Sequence, residues 1–123
     1  MSTTTIIALS DPSGGEEALG RVFNALAAAY DFKRQARPVQ LVFQGTGTRW
    51  PSLLAAPDHP VHGLYKAVED TVVGASAGCS TVFGAREDAE AVGVSLIADN
   101  PVPGTAGLPS VARFMADGPV LTF

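Results

Sequence analysis

Short apolar runs alternate along this chain with longer stretches of mixed polarity. Five runs rich in β-branched or aliphatic residues are bounded by turn-forming residues and predict strands: Thr4–Leu9, Val39–Phe43, Thr71–Ala75, Val94–Ile97 and Val120–Phe123. The middle of the second run is apolar at consecutive positions, which is typical of a strand that is covered on both faces. The pattern therefore predicts a five-stranded sheet with helical segments between its strands.

The longest helical segment lies between the first two strands. Ser13 and Glu16 have the spacing of a capping box at its start, and Glu17 is placed to pair with Arg21 one turn later. Pro38 prevents the helix from continuing. Apolar residues recur at three- and four-residue spacing and predict its buried face: Leu19, Val22, Phe23, Leu26, Ala27 and Tyr30.

Shorter helical segments fill the remaining intervals. Pro51 and Pro60 each open a predicted turn, and further helices are predicted over Arg86–Val92 and Pro109–Asp117. Alternation of strand and helix favours an α/β fold, because right-handed crossovers place helices over the faces of a parallel sheet. We therefore expect a three-layer α/β/α sandwich with a mostly parallel five-stranded sheet, flavodoxin-like in general appearance, forming a single domain over residues 1–123.

Composition and charge narrow the class of protein. Apolar residues make up 46% of the 123 residues and charged residues 16%, which suits a globular chain. The net charge of −4 leaves no excess of cations for a phosphate backbone, so we expect no nucleic-acid binding. No apolar run approaches the roughly 20 residues that span a bilayer, and the lone cysteine forms no intrachain disulfide. These features predict a cytoplasmic protein without a membrane partner.

Four segments together resemble the DsrE/DsrF-like sulfur-relay family: Thr4–Gly15, Leu41–Gly47, Gly78–Gly84 and Leu108–Phe123. The resemblance implies a homo-oligomer, such as a trimer or hexamer, and a cysteine that receives and passes on sulfane sulfur. Cys79 stands where the sulfur-transferring members place that cysteine. Relatives with an internal dithiol carry a second cysteine three residues earlier, where this sequence has Ser76.

The chemistry of a sulfur carrier suits the surroundings predicted for Cys79. The thiolate is the nucleophile that accepts sulfur from a persulfide. A short helix predicted over Ser80–Gly84 would present unpaired amides and a helix dipole, so we expect the amides around Gly78 and Ser80 to stabilise a negative sulfur. Gly78 also allows a turn that leaves the sulfur accessible. The alternative interpretation is a small buried core residue, since free cysteine is often buried.

Two glycine-rich turns are candidate anion sites. The turn after the first strand, Asp11–Gly15, lacks the phosphate lysine and the nucleotide-loop spacing, and Asp11 would repel an anion. The turn after the second strand is the better candidate, because Arg49 adds a bidentate charge to the backbone donors around Gly45 and Gly47. This turn and Cys79 both follow strands, so they are predicted to share one edge of the sheet and to face one pocket.

The remaining candidate residues favour structural roles. His59 and His62 are separated by Pro60, and no carboxylate or second cysteine stands at ligand spacing, so we expect neither a metal site nor a cofactor. Trp50 and Tyr65 belong either to an oligomer contact or to the edge of the core.

Two functions remain open from the sequence. The first is a sulfur relay, as a persulfide carrier or sulfurtransferase, with Cys79 as the acceptor and with sulfur donor and acceptor proteins as partners. The alternative is a non-catalytic oligomeric module that binds a small anionic ligand or a protein partner. A flavin or nucleotide protein is a weaker option, because the phosphate loop would be poor.

Overall fold

Five parallel strands form the central sheet in a computed structural model that describes residues 2–123. The strands are β1 Thr4–Ala8, β2 Val39–Phe43, β3 Val72–Ser76, β4 Leu96–Ile97 and β5 Val120–Thr122. Their order across the sheet is β4-β3-β2-β1-β5, and every neighbouring pair is parallel. The predicted α/β class and the predicted order of elements are confirmed, although β3 lies one residue later than expected.

Helices cover the two faces of this sheet unequally. Within residues 2–123 they are α1 Gly15–Arg34, α2 Trp50–Leu54, α3 His62–Val68, α4 Ala77–Val82, α5 Arg86–Ala91 and α6 Val111–Asp117. The first three crossovers step across the sheet in one direction, whereas the last returns past three strands to β5. Right-handed crossovers therefore place α6 on the opposite face from α1, α2, α3 and α5, which completes the three layers. None of these helices combines the length and apolar character that crossing a membrane requires.

The core is divided between the two faces. On the larger side, Leu41 and Phe43 pack in one cluster with residues of α1, α2, α3 and α5. On the smaller side, Ile7 and Val42 pack against Phe114 of α6. Leu41 and Val42 are both fully buried, so the prediction that β2 is covered on both faces is confirmed.

The buried face of α1 differs from the prediction. Phe23 and Tyr30 are 48% and 42% exposed, although both were expected to face the core. Small side chains allow the helix to approach the sheet closely, and the large aromatic rings lie outside that line of contact. The buried residues of α1 are Ala18, Val22, Ala25, Leu26 and Ala29.

The start of α1 also differs from the predicted capping box. The N-cap is Gly14, and no side chain caps the helix. The N–H of Ser13 instead donates to Oδ1 of Asp11 at 2.9 Å, which closes a turn before the helix begins. The predicted pair of Glu17 and Arg21 is confirmed at 2.7 Å.

Trp50 and Tyr65 belong to the core, which decides between the two roles considered for them. The indole N–H of Trp50 donates to the carbonyl of Ser10 at 2.8 Å. Both histidines contact the backbone: Nδ1 of His59 accepts from the N–H of Val61 at 3.1 Å, and Nδ1 of His62 lies 2.8 Å from a carbonyl oxygen of α2. His59 thus stabilises a local turn, and His62 links the start of α3 to the end of α2.

Candidate functional site

The segments that follow β1, β2 and β3 meet at the carboxyl edge of the sheet. Parallel strands end at the same edge, and this edge is where open α/β sheets place ligands. The turn Gly45–Arg49 contacts α4, the helix that carries Cys79. The structure therefore brings Cys79 and the glycine-rich turn to one edge, as the sequence predicted.

Cys79 lies in the first turn of a helix rather than ahead of one. The predicted helix Ser80–Gly84 is replaced by α4, which begins three residues earlier. Ser76 is its N-cap, and its Oγ accepts a hydrogen bond from the N–H of Cys79 at 3.2 Å. This contact satisfies an amide that the helix itself leaves without a partner. Cys79 carries a free thiol, and the residue is partly exposed.

The residues on either side of Cys79 are tightly packed. The N–H of Gly78 donates to the carbonyl of Gly107 at 2.7 Å, so this donor is already engaged. A Cβ at position 78 would lie 2.8 Å from Cδ1 of Leu108, which explains the need for glycine there by close approach. Ser80 is fully buried, and its Oγ has no hydrogen-bond partner among the described residues. The chain around Cys79 is therefore held in place by packing as much as by hydrogen bonds.

Arg49 connects two of the converging segments. Its Nη1 lies 3.4 Å from both carboxylate oxygens of Asp11, and its Nε donates to the carbonyl of Phe83 at 3.2 Å. Its guanidinium also lies over the ring of Phe83, 5.7 Å from the centroid. Hydrogen bonds from Ser13, chiefly from its backbone N–H, lower the pKa of Asp11, and the charge of Arg49 lowers it further. Arg49 thus joins the turn after β1 to the end of α4.

Gly45 and Gly47 meet requirements of the backbone. A Cβ at position 47 would lie 2.2 Å from the carbonyl oxygen of Ala8, because this turn crosses the end of β1. Gly45 has a φ of +58°, in the left-handed region that favours glycine. Its carbonyl accepts a hydrogen bond from Oγ1 of Thr48 at 2.8 Å. The fold therefore accounts for both glycines without a ligand.

A cleft of about 280 Å³ opens between the segments that follow β1, β2 and β3. Asp11, Arg49, Leu53 and Asp88 are among the residues that line it, and Cys79 is not. Two carboxylates accompany the single guanidinium, so the charges of the cleft oppose the binding of an anion. The structure thus places Arg49 and Asp11 in this cleft and leaves Cys79 outside it.

Gln44 is a buried polar residue that no local sequence pattern marks as part of a site. It is 8% exposed, and its Oε1 has no hydrogen-bond partner among the described residues. Phe43 pairs with Ala75 in the sheet, so the residues that follow them, Gln44 and Ser76, lie side by side on the face opposite Phe43. The sequence feature that could have indicated this position is an amide residue directly after a buried strand. Gln44 therefore stands beside the residue that caps the helix of Cys79.

Comparison with known proteins supports the fold and leaves the function open. No family model and no curated protein sequence matches this chain. A conserved protein of unknown function from Bacteroides thetaiotaomicron, BT1422, superposes with a TM-score of 0.64 at 16% identity, covering 99% of this chain and 95% of that one. The ychN protein from E. coli superposes with a TM-score of 0.60 at 16% identity, covering 100% of both chains. At this level of identity the likeness concerns the fold alone.

Proposed function

We propose that this protein is a DsrE/DsrF-like sulfur carrier in which Cys79 accepts and releases one sulfane sulfur. The thiolate of Cys79 attacks the terminal sulfur of a donor persulfide, the donor S–S bond breaks, and the donor leaves as a thiolate. An acceptor nucleophile then attacks the terminal sulfur of the Cys79 persulfide and regenerates the thiolate. Each step moves one sulfur atom without net oxidation.

The position of Cys79 is the observation that carries this proposal. It is the one cysteine of the chain, it is partly exposed, and it follows β3 at the carboxyl edge of the sheet. The hydrogen bond from its N–H to Ser76 holds its backbone in one conformation. A reactive thiol requires access together with a fixed position. The partial exposure of Cys79 and the hydrogen bond of its N–H support this requirement.

The identity of Ser76 limits the mechanism. A second thiol at this position would attack the persulfide and close a disulfide, whereas a hydroxyl is a far weaker nucleophile. Here the hydroxyl oxygen caps α4 instead. We therefore expect the sulfur to leave only when an external acceptor attacks it.

Intact-mass measurement after exposure to a persulfide donor tests this function. We expect a mass increase of about 32 Da that reductant removes and that Cys79→Ser abolishes. No such adduct on the folded protein would contradict the proposal and favour the alternative, a non-catalytic module that binds a ligand or protein partner.

A relocated thiol provides the matched control. Val82 lies on the same helix and is 71% exposed, so Val82→Cys in the Cys79→Ser background presents an open thiol outside the site. We expect this variant to take up sulfur more slowly than the original protein. Equal uptake would show that any exposed thiol on α4 suffices.

A further inference from the structure

Another cleft, of about 340 Å³, lies at the amino edge of the sheet, opposite to the edge where Cys79 lies. Its walls come from α3 and the segment after it, from the start of β3, and from the connection between α5 and β4. Neither Cys79 nor Ser76 lines it. The cleft is therefore a separate candidate for a ligand site.

The geometry of two strands creates this cleft. Strand β4 has only two residues and pairs with the end of β3, so the start of β3 has no neighbouring strand on that side. The register between β2 and β3 shifts here, and Val73 is the extra residue of a bulge. Val73 and Val92 both line the cleft and are 42% and 40% exposed. These two residues give the cleft an apolar part that is open to water.

Tyr65 brings a hydroxyl without a partner to the cleft. The residue is 3% exposed and packs in the larger core cluster, and it also lines the cleft. Its hydroxyl makes no hydrogen bond with a described residue, although buried tyrosine hydroxyls usually have a partner. The polar side-chain atoms that are enclosed without a partner belong to Gln44 and Ser80, so the hydroxyl of Tyr65 is not sealed in the core. It is therefore placed to bond a ligand in the cleft.

The other polar groups of the cleft are mainly hydrogen-bond acceptors. Burial, and then the charge of Glu69, raises the pKa of Tyr65 to about 12, so the Glu69 carboxylate acts on a hydroxyl that is neutral at physiological pH. The carbonyls of Val92 and Gly93 accept no hydrogen bond from a described residue. None of the described residues that line the cleft is a lysine or an arginine. Such a set of groups favours a cationic ligand.

We propose that this cleft binds a small aliphatic amine in its protonated form. The ammonium group donates hydrogen bonds to the carboxylate of Glu69 and to the hydroxyl oxygen of Tyr65, and the alkyl chain packs on Val73 and Val92. A neutral alcohol could use the same hydrogen bonds, but only an ammonium gains from the charge of Glu69. This site goes beyond the proposed sulfur carrier and does not depend on it.

Lys66 shows that Glu69 already contacts one ammonium group. Nζ of Lys66 donates to Oε1 of Glu69, and both side chains are largely exposed. The second carboxylate oxygen of Glu69 makes no hydrogen bond with a described residue, so it is available to a ligand. A bound amine therefore competes in part with Lys66 for the same carboxylate.

Titration with butylamine, followed by the amide NMR shifts of Gly93 and Ser95, tests this site. At neutral pH and constant ionic strength, we expect a saturable shift with a Kd of about 1 to 10 mM, because the ligand is small. Butan-1-ol and butyrate carry a similar alkyl chain without the positive charge. We expect each of them to bind at least about tenfold more weakly.

Three substitutions in and beside the cleft assign the contacts. Glu69→Gln should weaken butylamine binding about tenfold, and Tyr65→Phe should weaken it about threefold. Lys66→Gln should instead tighten binding about twofold, because it removes the competing ammonium. A gain in affinity cannot arise from loss of folding. Glu16→Gln is the matched control, since Glu16 is an exposed residue of α1 outside the cleft, and it should leave the Kd unchanged.

The outcomes separate the amine site from the proposed function. No saturable shift up to about 100 mM butylamine, or equal binding of butan-1-ol, would overturn the amine site even where Cys79 forms the sulfur adduct. Unchanged affinity in both Glu69→Gln and Lys66→Gln would also overturn it. Butylamine binding that responds to these substitutions as expected would support the site even where no sulfur adduct forms.

Discussion

At the scale of single residues, a few atoms around Cys79 and Arg49 hold the segments of the candidate site together. The hydroxyl of Ser76 accepts the hydrogen bond from the N–H of Cys79, and the absence of a side chain at Gly78 allows Gly107 and Leu108 to approach. Arg49, a candidate ligand for anions, instead links Asp11 to the end of α4. The charged pair Arg49–Asp11 at this edge of the sheet therefore joins two segments of the chain.

Tyr65 predicts how stability depends on alkaline pH. Burial, assisted by the charge of Glu69, raises the pKa of Tyr65 from 10.0 to about 12. The unfolded chain therefore ionises before the folded protein does, so this contribution to stability is fully present below pH 10 and is lost as the pH rises through 12.

Denaturant unfolding measures this effect. We compare the decrease in the free energy of unfolding as the pH rises from about 8 to about 11. This decrease should be about 1 kcal/mol smaller for Tyr65→Phe than for the original protein. Tyr30→Phe is the control, since Tyr30 lies on the exposed side of α1. An identical pH dependence in the Tyr65 variant and the original protein would contradict the assignment.

At the scale of elements, α1 shows how packing selects one face from an ambiguous pattern. Leu26 is fully buried against the sheet, whereas Phe23, one turn away, is exposed. The sequence places both at helical spacing from other apolar residues. Alanines on the inner line decide the orientation, because they permit the closest approach of the helix to the strands.

Paired substitutions on this helix test the orientation. Leu26→Ala should lower the free energy of unfolding by about 3 kcal/mol, because it leaves a cavity in the core. Phe23→Ala should lower it by less than about 1 kcal/mol, because its ring is already half exposed. Denaturant titration of both variants provides the measurement, and equal losses would show that Phe23 is buried.

At the scale of the whole molecule, one return crossover shapes both faces of the sheet. Strands β1 to β4 follow one another in one direction across the sheet, and the chain then returns to pair β5 with β1. For this reason α6 is the one helix that packs against the smaller core cluster, which contains Ile7 and Val42. The same connection carries the loop Asn100–Leu108 across the carboxyl edge to Gly78. The topology therefore brings this loop and the helix of Cys79 into contact.

The homo-oligomer implied by the family resemblance stays a prediction at this scale. Large apolar side chains are exposed, among them Phe23, Val82 and Met115, and association is one way to remove such surface from water. Light scattering coupled to size exclusion should give the mass of a trimer or hexamer of the 12.6 kDa chain. A monomer across the accessible concentration range would contradict this expectation.

The sequence by itself determined the elements and their class. Local patterns predicted the strands, the end of α1 before Pro38 and the pairing of Glu17 with Arg21. Each of these features depends on residues within a few positions of one another. The α/β class followed from the order of those elements, since crossover handedness restricts their arrangement.

Only the tertiary structure decided which residues meet. The contact of Gly107 with Gly78, the link from Arg49 to Asp11 and the buried position of Gln44 all join segments far apart in the chain. No local periodicity encodes such contacts, because they depend on how the loops of separate strands pack at one edge. For the same reason, the helix that carries Cys79 begins at Ala77 and not at the predicted Ser80. Its cap, Ser76, is recognisable only once β3 is known to end there.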